Sequence, residues 1–205
     1  MISKKTKKNA APARQRNAAA TRSAILDSAR RAFARAGYDG VGVREIAQGA
    51  GVTAMMVNRY FGSKERLFAE AIAEAMAKTS VLTPIILDAP ASGEEIAAAL
   101  INITKKGATP FEGFQIMLRS ASSERAAEIG REQIENHHQR LIAAALNGDL
   151  APQRAAVLLS LVAGFQIMRQ MIGLTPLTEA DSKALVKILG PLFEQLIKGA
   201  INVDT

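Results

Sequence analysis

Apolar residues recur every three or four positions through most of the chain, the spacing that aligns side chains on one face of an α-helix. The first such segment begins at Thr21, a residue type that caps helices, and ends at Gly37. No segment shows a convincing two-residue alternation of a β-strand. The apolar face of the first predicted helix consists of Ile25, Ala29, Phe33 and Ala36.

The next three predicted helices are closely spaced. The second covers about residues 42–50, and Gly51 makes a turn after it. Thr53 caps the third helix, which ends near Phe61, and Ser63 caps the fourth. Three helices within so few residues indicate a small helical unit at this end of the chain.

A loop at residues 88–93 precedes five further predicted helices. Two of them start with a capping-box pattern, which pairs a Ser or Thr with a Glu three residues later. The chain is therefore predicted to be all-α, with nine helices. The five helices begin near Ser92, Thr109, Ser123, Pro152 and Thr178.

Charge is unevenly distributed between the two ends of the chain. Residues 1–70 carry 14 Lys and Arg against 5 Asp and Glu, whereas residues 71–205 carry 12 against 14. The basic end suits a polyanion such as nucleic acid. Residues 1–20 have no acidic residue and no apolar period, which predicts a flexible basic arm. The chain has no cysteine, which suits a reducing cytoplasm.

The third helix is predicted to divide into an inward and an outward face. If Val57 points inward, then Thr53, Tyr60 and Phe61 lie on its side at about 100° per residue. Residues 55, 58 and 59 then point outward, and residues 54 and 56 are borderline. An exposed Asn can pair with adenine and an exposed Arg with guanine in the major groove of DNA. This face therefore predicts a base-reading helix.

Ala47, Gly51 and Val57 have the spacing of a helix-turn-helix. The segment "GYDGVGVREIAQGAGVTAMMVNRYFGSKERLF" resembles the tetracycline-repressor (TetR) family of bacterial transcription regulators, most specifically in "NRYFGSKERLF". The resemblance implies a homodimer, a repressor of a palindromic operator in double-stranded DNA, and release by a small-molecule effector. The predicted units are a basic arm at residues 1–20, a DNA-binding domain at about 21–67, and a ligand-binding and dimerisation domain at about 68–205.

The resemblance also implies roles for individual residues. Arg44 reaches a base or a phosphate, Thr53 touches phosphate, and Lys64 binds phosphate at the start of the fourth helix, where free N–H groups favour an anion. Two family residues are replaced, because Val41 stands where Thr is usual and Asn58 where Tyr is usual. The predicted DNA-contacting residues are Arg44, Thr53, Ala54, Met55, Asn58, Arg59, Tyr60 and Lys64, with Met55 suited to a thymine methyl group.

The C-terminal part is close to neutral and rich in Met and Phe, which suits a largely apolar effector in a cavity among the helices. The last two predicted helices are apolar on more than one face, which predicts burial against a second copy. The candidate pocket residues are Phe111, Phe114, Met117, Arg119, His137, Phe165, Gln166 and Met168. The candidate dimer residues are Leu158, Val162, Leu189, Phe193 and Leu196.

Other interpretations carry different expectations. An architectural DNA-binding protein would bind DNA without an effector and with weak sequence preference. Glu135 and His137 are the residues around which an acid–base enzyme would be built, but no second catalytic group stands out. Glu135 and His138 have the spacing of one di-iron half-site, although such sites need two such pairs and further carboxylates. We therefore expect no enzyme, metal or cofactor, and the longest apolar stretch, residues 155–165, is predicted to be too short for a membrane span.

Overall fold

The computed structural model describes residues 10–77, 92–105 and 111–199, with side chains from residue 17 onward. Within these residues it contains ten helices and no strand. The all-α prediction is confirmed, and the helix beyond the predicted nine is the single turn α9. The helices are α1 Ala10–Ala36, α2 Val43–Gly49, α3 Ala54–Phe61, α4 Lys64–Ala77, α5 Gly93–Ile103, α6 Glu112–Ser120, α7 Glu124–Ile134 with its continuation to Ala145, α8 Ala151–Ile172, α9 Thr175–Thr178 and α10 Ser182–Lys198.

The first helix begins earlier than predicted. It starts at Ala10 rather than at Thr21, and the Thr21 hydroxyl donates to the carbonyl oxygen of Asn17 instead of capping. The segment from residue 10 to residue 20 contains six alanines, the residue with the highest helix propensity, so helix extends without an apolar face. The predicted flexible arm is thus wrong for residues 10–20. Residues 1–9 lie outside the described residues.

A first core joins α1, α2, α3 and α4 to α6 and α7. It is built around Phe33, Tyr38 and Phe68, whose rings lie 4.9–6.3 Å apart. Ile116 of α6 and Ile129 of α7 belong to the same core. The predicted boundary after residue 67 therefore falls inside α4, and the helices predicted to bind DNA share their core with two helices of the C-terminal part.

The turn after α1 is in close contact with the C-terminal end of α6. Gly37 ends α1 as predicted, with φ +71°, and its N–H donates to the carbonyl oxygen of Phe33 at 2.9 Å. A Cβ atom at this position would lie 2.2 Å from the Arg119 carbonyl oxygen. Only glycine fits both the backbone conformation and the contact. The C-terminal end of α6 is thereby held against the α1–α2 turn.

A second core contains α5, α8, α10 and the end of α7, with Leu158 and Phe193 among its fully buried side chains. The predicted capping box at the start of α5 is confirmed, because the Ser92 and Glu95 side chains each bond the other's backbone N–H. A Cβ on Gly93 would lie 2.1 Å from the Gly190 carbonyl oxygen, so α5 and α10 touch through backbone. The predicted cap of α6 at residues 109–110 lies outside the described residues.

Two of the long helices contain a π-helical turn, at Glu135–Gln139 in α7 and at Ile167–Ile172 in α8. With its π turn, α8 is 22 residues long and is the one described helix long and apolar enough to cross a membrane by length and composition. The length of α8 agrees with the helix predicted for residues 152–172, within which the apolar stretch covers residues 155–165.

Candidate DNA-binding surface and cavity

The third helix is anchored from one side and ended by a glycine. Val57 and Phe61 are buried in the first core, and Thr53 caps the helix by accepting a bond from the Met56 N–H at 3.4 Å. Gly62 follows with φ +80°, a conformation that residues with a Cβ rarely adopt. The anchoring leaves α3 with one fixed orientation. Thr53 was expected to point inward, but its side chain is exposed because the N-cap lies outside the helical register.

The opposite side of α3 is exposed, as predicted. Met55 is 78% exposed, and Asn58 and Arg59 are exposed as well. Arg44, on α2, is also exposed, and neither Arg44 nor Arg59 forms an ion pair with another described residue. The amide and the guanidinium groups of this face are therefore available for an external partner.

Ala54 and Tyr60 are placed differently from the other predicted contacts. Both are half-buried and pack against the first core. Phe61, beside Tyr60, lies under the guanidinium of Arg22, whose carbon is 4.8 Å from the ring centre. Ala54 and Tyr60 thus lie at the edge of the exposed face rather than at its centre.

Lys64 is the first residue of α4, and its ammonium group lies over an aromatic ring. Its Nζ is 4.2 Å from the ring centre of Tyr38, which favours a cation held over the ring face. Burial and the nearby Glu65 carboxylate raise the pKa of the Tyr38 hydroxyl. The Tyr38 ring holds the Lys64 ammonium group at the start of α4. The unpaired backbone N–H groups of this helix end add to the attraction for an anion. Sequence reasoning missed Tyr38, whose only signal was an aromatic directly after the glycine that ends α1.

An open cavity of about 790 Å³ lies among α4, α6, α7 and α8. Two predicted pocket residues, Phe114 and Met117, line it. Met76 contributes from the end of α4, and Leu159 and Ala163 from α8. The polar residues of the wall, most of them on α7, are Arg131, Glu135, Gln139, Arg140 and Ser160.

The other six predicted pocket residues do not line this cavity. Phe111 stacks on the lining residue Phe114 with ring centres 5.4 Å apart but does not itself line the cavity. Phe165 packs on the second core, and Gln166 is buried. Sequence alone could not show which side of each helix meets the cavity. The remaining three, Arg119, His137 and Met168, are exposed elsewhere on their helices.

The structure contradicts the predicted dimer face. Leu158 and Phe193 are 0% exposed, and Val162 and Leu189 are 8% exposed, because they form the second core of the same chain. Leu196 packs against that core too. The apolar period of α8 and α10 identified the sides that face inward, and a buried side chain cannot also meet a second copy.

A different side of the same two helices is apolar and exposed. Ile188 is 63% exposed and Leu192 is 44% exposed, one helical turn apart on α10. Val157, Met168 and Met171 of α8 are exposed as well. Exposed apolar residues grouped on neighbouring helices are typical of a protein interface.

Two family models match the chain. "Bacterial regulatory proteins, tetR family" matches residues 25–71, and "Tetracyclin repressor-like, C-terminal domain" matches residues 91–197, more than half of the chain. The chain belongs to the tetracycline-repressor family. It is a DNA-binding transcription regulator with an N-terminal helix-turn-helix domain and a helical C-terminal domain. Regulators of this family are typically non-enzymatic, soluble proteins that bind DNA and dimerise.

Several solved structures share this fold, among them a regulator of the tetracycline-repressor family. A TetR-family regulator from Streptomyces coelicolor is 25% identical over 87% of this chain and 95% of its own, with a TM-score of 0.56. GusR of Salmonella enterica is 16% identical over 87% and 95%, with a TM-score of 0.64. The multidrug binding protein EbrR, solved with proflavin, is 21% identical over 84% and 99%, with a TM-score of 0.55. Among curated proteins, no sequence match was found.

The residues considered for an enzyme or a metal site lie together on α7. Glu135 and His137 are exposed, and burial lowers the pKa of the half-buried His138. Among the described residues there is no group of three or more His, Asp or Glu side chains that could hold a metal ion. His137 Nδ1 lies 3.2 Å from the Gln133 carbonyl oxygen, within hydrogen-bonding distance of the preceding turn.

Proposed function

We propose that this chain is a homodimeric repressor that acts in the cytoplasm on an inverted-repeat operator and is released by a small-molecule effector. The observation that carries the proposal is the two-sided character of α3. One side is locked in the first core by Val57 and Phe61, and the other presents Met55, Asn58 and Arg59. A rigid helix with an exposed amide, guanidinium and thioether suits reading of base edges in the major groove.

Two cations on the helices before and after α3 support the proposed placement of α3 on the DNA duplex. Arg44 extends from α2, and Lys64 is held over Tyr38 at the start of α4. Contacts to phosphate fix the register of a reading helix without reading sequence themselves. We therefore assign base reading to Asn58 and Arg59, an apolar contact to Met55, and phosphate binding to Lys64, Thr53 and Arg44.

The exposed apolar side of α8 and α10 supports a homodimer. Ile188 and Leu192 on α10, with Val157 on α8, would be covered by the same face of a second copy. Two identical reading helices then favour an inverted repeat, with half-sites about 34 Å apart when both lie on one face of the duplex.

The cavity is connected to the DNA-binding helices by two elements. α4 carries Lys64 at its first residue and Met76, a cavity residue, near its end. α6 carries Met117 in the cavity wall and Ser120 against Tyr38. A molecule that fills the cavity and favours another position of α4 or α6 would also shift α3 and the residues proposed to contact DNA. It releases DNA only if it binds the DNA-incompetent state more tightly.

The proposed reading function is tested by selecting bound sequences from a random pool of duplex DNA. Wild type should enrich an inverted repeat, and Asn58→Ala should change the preferred base at one position of each half-site, at a cost of about 1–3 kcal/mol per contact. Asn102→Ala, an exposed Asn on α5, is the matched control and should select the wild-type motif. An unchanged motif and affinity for Asn58→Ala would refute its reading role. A pool without any enriched motif would favour the architectural alternative.

A further inference from the structure

Most of the polar side chains in the wall of the cavity lie on α7. Phe114 and Met117 on α6 and Leu159 and Ala163 on α8 form an apolar surface. The lining of α7 includes the apolar Ile134 together with two guanidinium groups and one carboxylate. A volume of about 790 Å³ lies within the range of roughly 300–1,000 Å³ that small-molecule sites occupy. The cavity therefore suits a molecule with one apolar and one polar end.

The π-helical turn of α7 shapes the polar wall. In an uninterrupted α-helix, Arg131 and Arg140 would lie about 180° apart around the axis, on opposite faces. The backbone N–H of Arg140 instead bonds the carbonyl oxygen of Glu135, five residues earlier. The extra residue in this turn brings Arg140 to about 80° from Arg131, and both side chains line the cavity. Such turns are rare and occur frequently at functional sites.

The charges of this wall do not cancel. Arg131 and Arg140 carry two positive charges, and Glu135 between them carries one negative charge. Neither arginine forms an ion pair or a side-chain hydrogen bond within the described part of the chain. One guanidinium therefore remains for an acidic group even if Glu135 compensates the other. Guanidinium is well suited to a carboxylate because its N–H groups donate in pairs.

We propose that the cavity binds an apolar molecule with a single carboxylate, whose acid group lies against the α7 wall that carries Arg131 and Arg140 and whose apolar body lies against Phe114, Met117 and Leu159. The regulatory meaning of this binding rests on the proposed function. The binding itself is measured on the free protein, so its failure would leave the DNA-reading proposal intact.

The experiment compares ligands that share a body and differ in charge. Decanoate, decanol and decylamine are titrated into the full-length protein by calorimetry and thermal unfolding, and 2-naphthoate is compared with naphthalene-2-methanol. Decanoate is expected to bind at least tenfold more tightly than decanol, because charge-assisted hydrogen bonds exceed neutral ones. The naphthoate arm distinguishes a flat aromatic acid from an alkyl acid. Equal binding of acid and alcohol in both arms would overturn the proposal.

Charge-removing variants locate the acid group. Arg131→Gln with Arg140→Gln should weaken binding of the preferred acid at least tenfold and leave its alcohol unchanged. Arg119→Gln is the matched control, because Arg119 is exposed on α6 and does not line the cavity. Glu135→Gln should strengthen binding of the acid. Preferred binding of decylamine with loss on Glu135→Gln, or no binding of any probe, would refute the assignment. Operator binding by each unliganded variant is measured alongside, which separates this result from failure of DNA reading.

Discussion

The backbone N–H of Tyr38 donates a hydrogen bond of 2.9 Å to the Ser120 hydroxyl, across 82 positions of sequence. Ser120 also donates to the Ile116 carbonyl oxygen at 2.6 Å, so its hydroxyl is held by α6 while it accepts from the α1–α2 turn. The donor residue, Tyr38, carries the ring over which Lys64 lies. The acceptor, Ser120, is on α6, which also carries the cavity residue Met117. The contact joins the proposed phosphate site to the cavity through one buried hydroxyl.

Ser120→Ala should therefore destabilise the protein. The substitution leaves the Tyr38 N–H buried without its acceptor, at a cost of about 1–3 kcal/mol in the free energy of unfolding. Urea denaturation followed by circular dichroism measures the difference. Ser122→Ala, two residues away and exposed, is the control and should change stability by less than about 0.5 kcal/mol. Equal unfolding curves for both variants would show that the hydroxyl link contributes nothing.

Arg154 should be the arginine on which stability depends most. Its side chain is 2% exposed and donates to backbone carbonyl oxygens on both sides, those of Asn147, Gly148 and Asp149 before α8 and those of Leu196 and Ile197 at the end of α10. Arg154→Met keeps much of the volume but leaves these acceptors unsatisfied, so we expect a loss of about 3–5 kcal/mol. Arg125→Met, at an exposed ion pair, should cost no more than about 1 kcal/mol. Comparable losses for the two variants in urea denaturation would contradict this assignment.

Lys64→Ala should reduce affinity for every sequence alike. Each phosphate contact contributes about 0.9 to the slope of log affinity against log salt concentration, so removal of one contact per subunit should flatten the slope of the dimer by about 2. Titration of fluorescent operator and of unrelated duplex at several salt concentrations measures both slopes. Lys105→Ala, an exposed lysine at the end of α5, serves as control. A loss confined to the operator would mean that Lys64 reads sequence rather than phosphate.

The residues proposed for the dimer interface differ from those that the apolar period of α8 and α10 predicted. Ile188→Asp, at a side chain 63% exposed, should give a folded monomer with weakened operator binding, because a charge cannot be buried against a second copy without a partner. Phe193→Asp would instead place the charge in the second core and unfold the chain. Light scattering and circular dichroism distinguish the two results. Leu118→Asp, at a side chain 40% exposed on α6, is the control and should remain dimeric. The assignment is wrong if Ile188→Asp remains a dimer, or if wild type is a monomer at micromolar concentration.

The basic start of the chain should contribute through salt-sensitive contacts. Residues 1–9 contain Lys4, Lys5, Lys7 and Lys8 and no acidic residue. If each copy neutralises two or three phosphates there, deletion of residues 1–9 should flatten the salt slope of the dimer by roughly 4–5 while the selected base motif persists. The deletion ends before α1, which begins at Ala10, so the helix is retained. Equal slopes for the full-length and shortened proteins would exclude a role for these lysines in DNA binding.

The fold class and the orientation of α3 were predictable from sequence because both depend on short-range periodicity. The apolar spacing around Val57 and Phe61 determines which side of that helix is buried, so Asn58 and Arg59 had to lie on the other side. The extended start of α1 could have been inferred from its alanines. This segment has no apolar face, and the helix propensity of alanine alone is sufficient for it to be helical.

The sequence by itself determined an all-helical chain, a basic end suited to DNA, the helix-turn-helix and the side of α3 that faces outward. Only the tertiary structure decided which apolar side of α8 and α10 is core, because two apolar sides of one helix are equivalent until neighbouring helices cover one of them. It also turned Arg140 toward the cavity that Arg131 lines through a π turn, and set Lys64 over Tyr38 and Tyr38 against Ser120. These contacts depend on how distant helices pack in three dimensions, which residue spacing within one helix does not encode.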